Sequence, residues 1–135
     1  MKMAYHLCLA FCLGTLLMGF GVQGKAAENQ KFKTVTVEEF EKLRVDKSNV
    51  LLDVRRPTEF KFGHIGGATC VDWLDSKFEK KVSALEKNKT YLVYCAVGGR
   101  SAKACEKMVG LGFTHVYNLK GGIQAWERAN KPLEK

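Results

Sequence analysis

Tyr91-Leu92-Val93-Tyr94-Cys95-Ala96-Val97-Gly98-Gly99-Arg100-Ser101 passes within a few residues from an apolar run, through a glycine pair, into a helical pattern. An uninterrupted apolar run reads as a strand covered on both faces, as in parallel sheets. A loop that leaves the carboxyl end of such a strand and enters a helix is where open α/β sheets bind ligands. Cys95 opens that loop. Free backbone N–H groups at a helix N-terminus, aligned with the helix dipole, stabilise an anion, and a thiolate or persulfide is such an anion. Gly98 and Gly99 permit the positive φ values that curling a loop around one atom requires. Arg100 adds fixed positive charge. Cys95 is therefore the expected nucleophile, and Ala96, Val97, Gly98, Gly99, Arg100 and Ser101 the expected anion cradle.

Working outward, Val50-Leu51-Leu52-Asp53-Val54 repeats the buried-strand pattern and ends on a carboxylate. Short strands are expected at 32–37, 68–71 and 115–119. Thr36-Val37-Glu38-Glu39 matches a capping box opening a helix to about Leu43, and Pro57 suits the first turn of another before Gly63-His64-Ile65-Gly66-Gly67 breaks it. Phe78, Val82 and Leu85 mark a helix over 77–85. Ala104, Met108 and Leu111 form the apolar stripe of the helix from Ser101, and Trp126 sits in a closing helix over 123–129. Strands alternating with helices predict an α/β three-layer sandwich with a central, mostly parallel five-stranded sheet.

The chain has 135 residues, 46% of them apolar and 27% charged, an ordinary balance for one globular domain. Its beginning differs: Lys2 precedes an apolar run over 7–18 and a small, loose stretch over 19–27. This reads as an export signal over 1–24, followed by a linker over 25–32 and a domain over 33–135. The expected location is periplasmic or extracellular, with no stable membrane insertion once the signal is cleaved. Of five cysteines, Cys8 and Cys12 fall inside the signal. Cys70, Cys95 and Cys105 are left, an odd number that suits a reactive thiol better than a disulfide framework. The net charge of +8 suits small anions, while scattered lysines without interleaved aromatics argue against nucleic acid. His64 and His115 are isolated and no Cys-x-x-Cys occurs, so no metal or other cofactor is expected.

Ordered motifs then add a family. Leu52-Asp53-Val54-Arg55 with Glu59-Phe60, Gly63-His64-Ile65-Gly66-Gly67-Ala68, Tyr94-Cys95-Ala96-Val97-Gly98-Gly99-Arg100-Ser101, and Gly112-Phe113 leading to Tyr117-Asn118-Leu119-Lys120-Gly121-Gly122-Ile123 and Ala125-Trp126 stand in sequence. Over nearly all of 33–133 the chain resembles single-domain rhodaneses of the periplasmic phage-shock type. The resemblance implies a thiosulfate sulfurtransferase: Cys95 takes a sulfane sulfur, sulfite leaves, and cyanide, a thiol or a thioredoxin-like protein removes the sulfur from a Cys95 persulfide in a second displacement. Arg100 would pair with a sulfonate oxygen through two hydrogen bonds. Asp53, Arg55 and Glu59 are expected to support the loop, Arg55 and Glu59 as an ion pair and Asp53 through backbone groups. A monomer is expected.

Two other readings use the same parts. Cysteine phosphatases also place a thiolate in an anion-binding loop ending in Arg, but with five residues between Cys and Arg against four here. A persulfide carrier or interaction module without efficient thiosulfate turnover is the other. Cys105 reads as core packing. Cys70, in a short strand, also reads as packing, but it stands where the family commonly has Asn, so the alternative for it is a resolving thiol or a disulfide with Cys95.

Overall fold

The structure, a computed structural model, describes residues 31–135; the expected signal and most of the expected linker lie outside them. The elements run β1 (Lys33–Val35), α1 (Val37–Arg44), β2 (Val50–Asp53), α2 (Pro57–Phe62), β3 (Thr69–Cys70), α3 (Phe78–Ser83), β4 (Thr90–Tyr94), α4 (Gly99–Gly110), β5 (His115–Leu119) and α5 (Gly122–Arg128). The strands lie in the order β1-β5-β4-β2-β3, so the two shortest, of three and two residues, form the edges. The sheet expected to be mostly parallel is parallel in every pairing, because a helical crossover separates each strand from the next. An isolated antiparallel bridge joins His64 to Glu134 outside the sheet.

Period-two alternation along the central strands builds the two cores of the sandwich. Leu51, Leu92 and Tyr94 face one way and pack with Phe40 of α1 and Ile123 and Trp126 of α5. Leu52 and Val93 face the other way, with Phe78 and Val82 of α3 and Ala104, Cys105 and Met108 of α4. Each fully covered Leu, Val, Ile, Phe or Met among them contributes about 1.5–3 kcal/mol. Phe40 meets both Tyr94 and Trp126 edge to face, with ring centroids 6.4 and 6.3 Å apart.

Local chemistry explains the helix starts. Thr36 Oγ1 accepts from the Glu39 amide while the Glu39 carboxylate accepts from the Thr36 amide, the expected reciprocal cap. Pro57 opens α2, and the Glu59 carboxylate accepts from the Arg56 amide at 3.0 Å. Helix α4 begins at Gly99 rather than Ser101, because Gly98 turns the chain at φ 104°. Ser101 thus occupies a buried helical position, while Leu111, expected on the apolar stripe, is the half-buried residue after the last turn. Past α5 the tail runs back over the core: Pro132 O accepts from Trp126 Nε1 at 2.9 Å, and Glu134 exchanges two 2.8 Å backbone bonds with His64.

Candidate active site

Strands β2 and β4 end side by side, Asp53 opposite Tyr94, and the Val54 amide donates to Tyr94 O at 3.0 Å. From this point β2 continues toward one edge of the sheet through α2 and β4 toward the other through α4, which opens a crevice at their carboxyl ends. Cys95 is the first residue beyond β4 at that crevice and is 1% exposed.

Three parts of the chain shape the surroundings of its sulfur. The Gly98 amide donates to Cys95 Sγ at 3.1 Å and the Ser101 hydroxyl at 3.3 Å. The loop's outward side is tied to α5: the Ile123 amide donates to Cys95 O at 2.9 Å and the Gln124 amide to Ala96 O at 3.2 Å. With those carbonyls held by a helix N-terminus, the amides that follow are free to face inward. Gly122 makes the junction possible. It has φ +60°, and a Cβ there would lie 2.5 Å from both Cys95 O and Ala96 O. Burial pushes the Cys95 thiol up, but the Ser101 hydroxyl and the Ser101, Gly98 and Val97 amides together outweigh it and hold the thiol below its ordinary range.

The other two cysteines among the described residues behave oppositely. Burial drives the Cys105 thiol well above its usual range, as expected of a packing residue within α4. Cys70 is raised by burial and by the Asp53 and Asp72 carboxylates, and its Sγ donates to Arg55 O at 3.4 Å. In register, Cys70 lies beside Asp53 and Asp53 beside Tyr94. Two inter-strand spacings of about 4.8 Å separate Cys70 from Tyr94. A disulfide spans about 4.4–6.8 Å between Cα atoms, so the intervening β2 keeps Cys70 out of bonding reach of Cys95. Among the described residues all three cysteines are free.

The supporting charges pair differently from expectation. Arg55 does not pair with Glu59; it reaches back to Asp53, with Nη2 at 2.6 Å from Oδ2 and Nε at 3.0 Å from both oxygens. Arg55 Nη2 also donates to Gly63 O at 2.7 Å, so one guanidinium joins β2 to the turn after α2. Asp53 accepts from the Arg55 amide at 2.9 Å, in keeping with its expected backbone role. Both side chains are buried, and they lie against Tyr94, whose hydroxyl accepts from the Ile65 amide. Glu59 takes Arg100 instead, through Nη1–Oε2 at 2.8 Å and Nη2–Oε1 at 2.9 Å. The Arg100 hydrogen bonds hold the Glu59 carboxyl down at about 2. The reason for the exchange is placement: Arg55 follows a buried strand end whose own carboxylate is two residues away, whereas Glu59 is fixed by its cap on the first turn of α2, facing the loop.

Ala96, Val97, Gly98, Gly99, Arg100 and Ser101 thus all stand in or directly after the loop, with the apolar Val97 side chain 60% exposed. Sequence reasoning did not single out Ile123 and Gln124, the donors behind the loop; the adjacent Gly121-Gly122 pair was their signal. His64 stacks on Phe60 with ring centroids 3.8 Å apart and hydrogen-bonds Phe60 O, a structural place. Among the described residues no group of side chains could hold a metal ion, and no helix is long and apolar enough to cross a membrane.

Residues 36–129 match the model of the rhodanese-like domain. The chain is 34% identical over 104 residues to the thiosulfate sulfurtransferase GlpE of Pseudomonas putida, covering 77% of this chain and 92% of that one. It is 32% identical over 112 residues to the probable adenylyltransferase/sulfurtransferase MoeZ of Mycobacterium tuberculosis, covering 82% of this chain but only 29% of that longer one. The crystal structure of a rhodanese-related protein from Thermoplasma volcanium superposes with a TM-score of 0.67 at 33% identity, over 76% of this chain and 98% of that one.

Proposed function

The chain belongs to the rhodanese-like family, and we propose that it moves a sulfane sulfur from thiosulfate or a related donor to a thiophilic acceptor through a persulfide on Cys95. The observation that carries this reading is the convergence of the Gly98 amide and the Ser101 hydroxyl on one buried sulfur whose thiol is held low. In the first step the Cys95 thiolate attacks the outer sulfur of thiosulfate. The new S–S bond forms as the old one breaks, and sulfite departs with the electron pair. The terminal sulfur of the persulfide then carries the negative charge, and donors already in place stabilise it without reorganisation. In the second step cyanide or a thiolate attacks that terminal sulfur, and Cys95 leaves as the thiolate. A leader over 1–24 would place this chemistry in the periplasm or outside the cell, with a thioredoxin-like protein among the acceptors.

Mass spectrometry after incubation with thiosulfate tests the reading. The intact protein should gain one sulfur atom and lose it on adding cyanide, while Cys95→Ser should gain none. Sulfur transfer that survives in Cys95→Ser would assign the wrong nucleophile. Hydrolysis of p-nitrophenyl phosphate should be absent, in line with a loop that closes on one sulfur atom.

A further inference from the structure

The charges around Cys95 come already matched. Asp53 neutralises Arg55 within the buried pair, and Glu59 neutralises Arg100 with both carboxylate oxygens. Arg100 is the cation whose charge also acts on Cys95, and both of its terminal nitrogens point at Glu59. The Cys95 thiolate is stabilised by amides and a hydroxyl, which carry no net charge. An incoming thiosulfate dianion therefore meets a thiolate and no unmatched cation in this group. To use Arg100 it must displace a carboxylate that stays ionised at every physiological pH. The Glu59 carboxylate is not free to drift aside, since it also caps α2 through the Arg56 amide.

We propose that Glu59 is a specificity-determining residue: an internal counter-anion on Arg100 that turns the site away from dianionic donors and toward thiol-borne persulfides, whose sulfur group brings at most one negative charge and no sulfonate oxygens. This rests on the sulfur-transfer reading above and names its donor class. With such a donor, the Cys95 thiolate attacks the terminal sulfur of R–S–SH. The bond between the two sulfurs breaks, R–S⁻ leaves with the electron pair, and Cys95 keeps the transferred sulfur with its proton. No group in this exchange needs the Arg100 guanidinium as a partner. Thiosulfate, whose sulfonate oxygens do need a cation, competes with Glu59 for the same two N–H groups.

The test is Glu59→Gln, which keeps an amide oxygen to cap the Arg56 amide but removes the charge. Sulfur loading is followed with thiosulfate and with the persulfide of 2-mercaptoethanol, at low and at high ionic strength. The expected result is a rise of about tenfold in kcat/KM for thiosulfate relative to the persulfide, carried by a lower thiosulfate KM and shrinking as salt is added. A ratio unchanged from the parent protein, or a fall in thiosulfate loading with KM unaltered, would overturn the assignment of Glu59. If Glu59→Gln does not fold, Glu59→Asp, with a shorter reach to Arg100, should move the ratio in the same direction. Failure of both donors to load Cys95 in the parent protein would instead sink the sulfur-transfer reading, so the two outcomes stay distinct.

Discussion

At the scale of single residues, the site depends on which hydrogen each donor can offer the sulfur. Ser101 is fully buried and spends its hydroxyl on Cys95 Sγ, an arrangement that helps only the charged form of the thiol. In Ser101→Ala the Cys95 thiol should titrate higher, because the hydroxyl that favours its charged form is gone, leaving less thiolate at neutral pH. The rate of iodoacetamide alkylation against pH measures this directly: the midpoint should shift upward, and an unmoved midpoint would leave the hydroxyl no electrostatic role. Glu59 offers a second titration with the opposite consequence. Its folded carboxyl lies at about 2 against an ordinary 4.5, so its contribution is complete above about 4.5 and is lost as pH falls through about 2. The gap in melting temperature between the parent protein and Glu59→Gln should therefore close on acidification. Because both partners are partly exposed, the gap itself should be modest.

Among elements, the decisive contact is between the start of α5 and the back of the loop. Gly122 sits with its α-carbon against two carbonyls, so Gly122→Ala must push either the helix or the loop away. We expect a loss of about 1–3 kcal/mol in stability, read by urea denaturation, together with a drop of at least about tenfold in sulfur loading. Loading that persists at the parent rate would mean that α5 merely adjoins the loop. Most elements were legible in the chain because their signals are local: the apolar runs at β2 and β4, the cap at Thr36, Pro57 and the stripe of α4. The charge pairing was not, and Arg55 shows why. Residue spacing leaves Asp53 and Glu59 equally available to it, and only the packed sheet, with Asp53 beside it and Glu59 turned toward a loop 41 residues further on, chooses between them. The start of α4 was displaced for a related reason, since a left-handed Gly98 can begin a helix earlier than its apolar stripe indicates.

Across the whole molecule, the ends of the sheet are coupled to the tail. Residues 132–134 satisfy the buried Trp126 indole, cover Gly63 with Leu133, and pair with His64, just where Gly63 O receives Arg55. Removing residues 131–135 leaves the indole N–H without its carbonyl, at a cost of about 1–3 kcal/mol, and frees the turn that steadies Arg55. Thermal denaturation of the shortened protein should show a melting point several degrees lower. An identical melting point would show the tail to be dispensable.

The two outer strands have a consequence for how the protein behaves in company. Lys33–Val35 and Thr69–Cys70 are the rows whose backbone groups face away from the sheet, and together they offer a neighbour almost no length on which to add a strand. An edge this short is a poor template for sheet-to-sheet growth. A protein whose work rests on a buried, reactive sulfur thus presents, among its described residues, little sheet edge on which another strand could add.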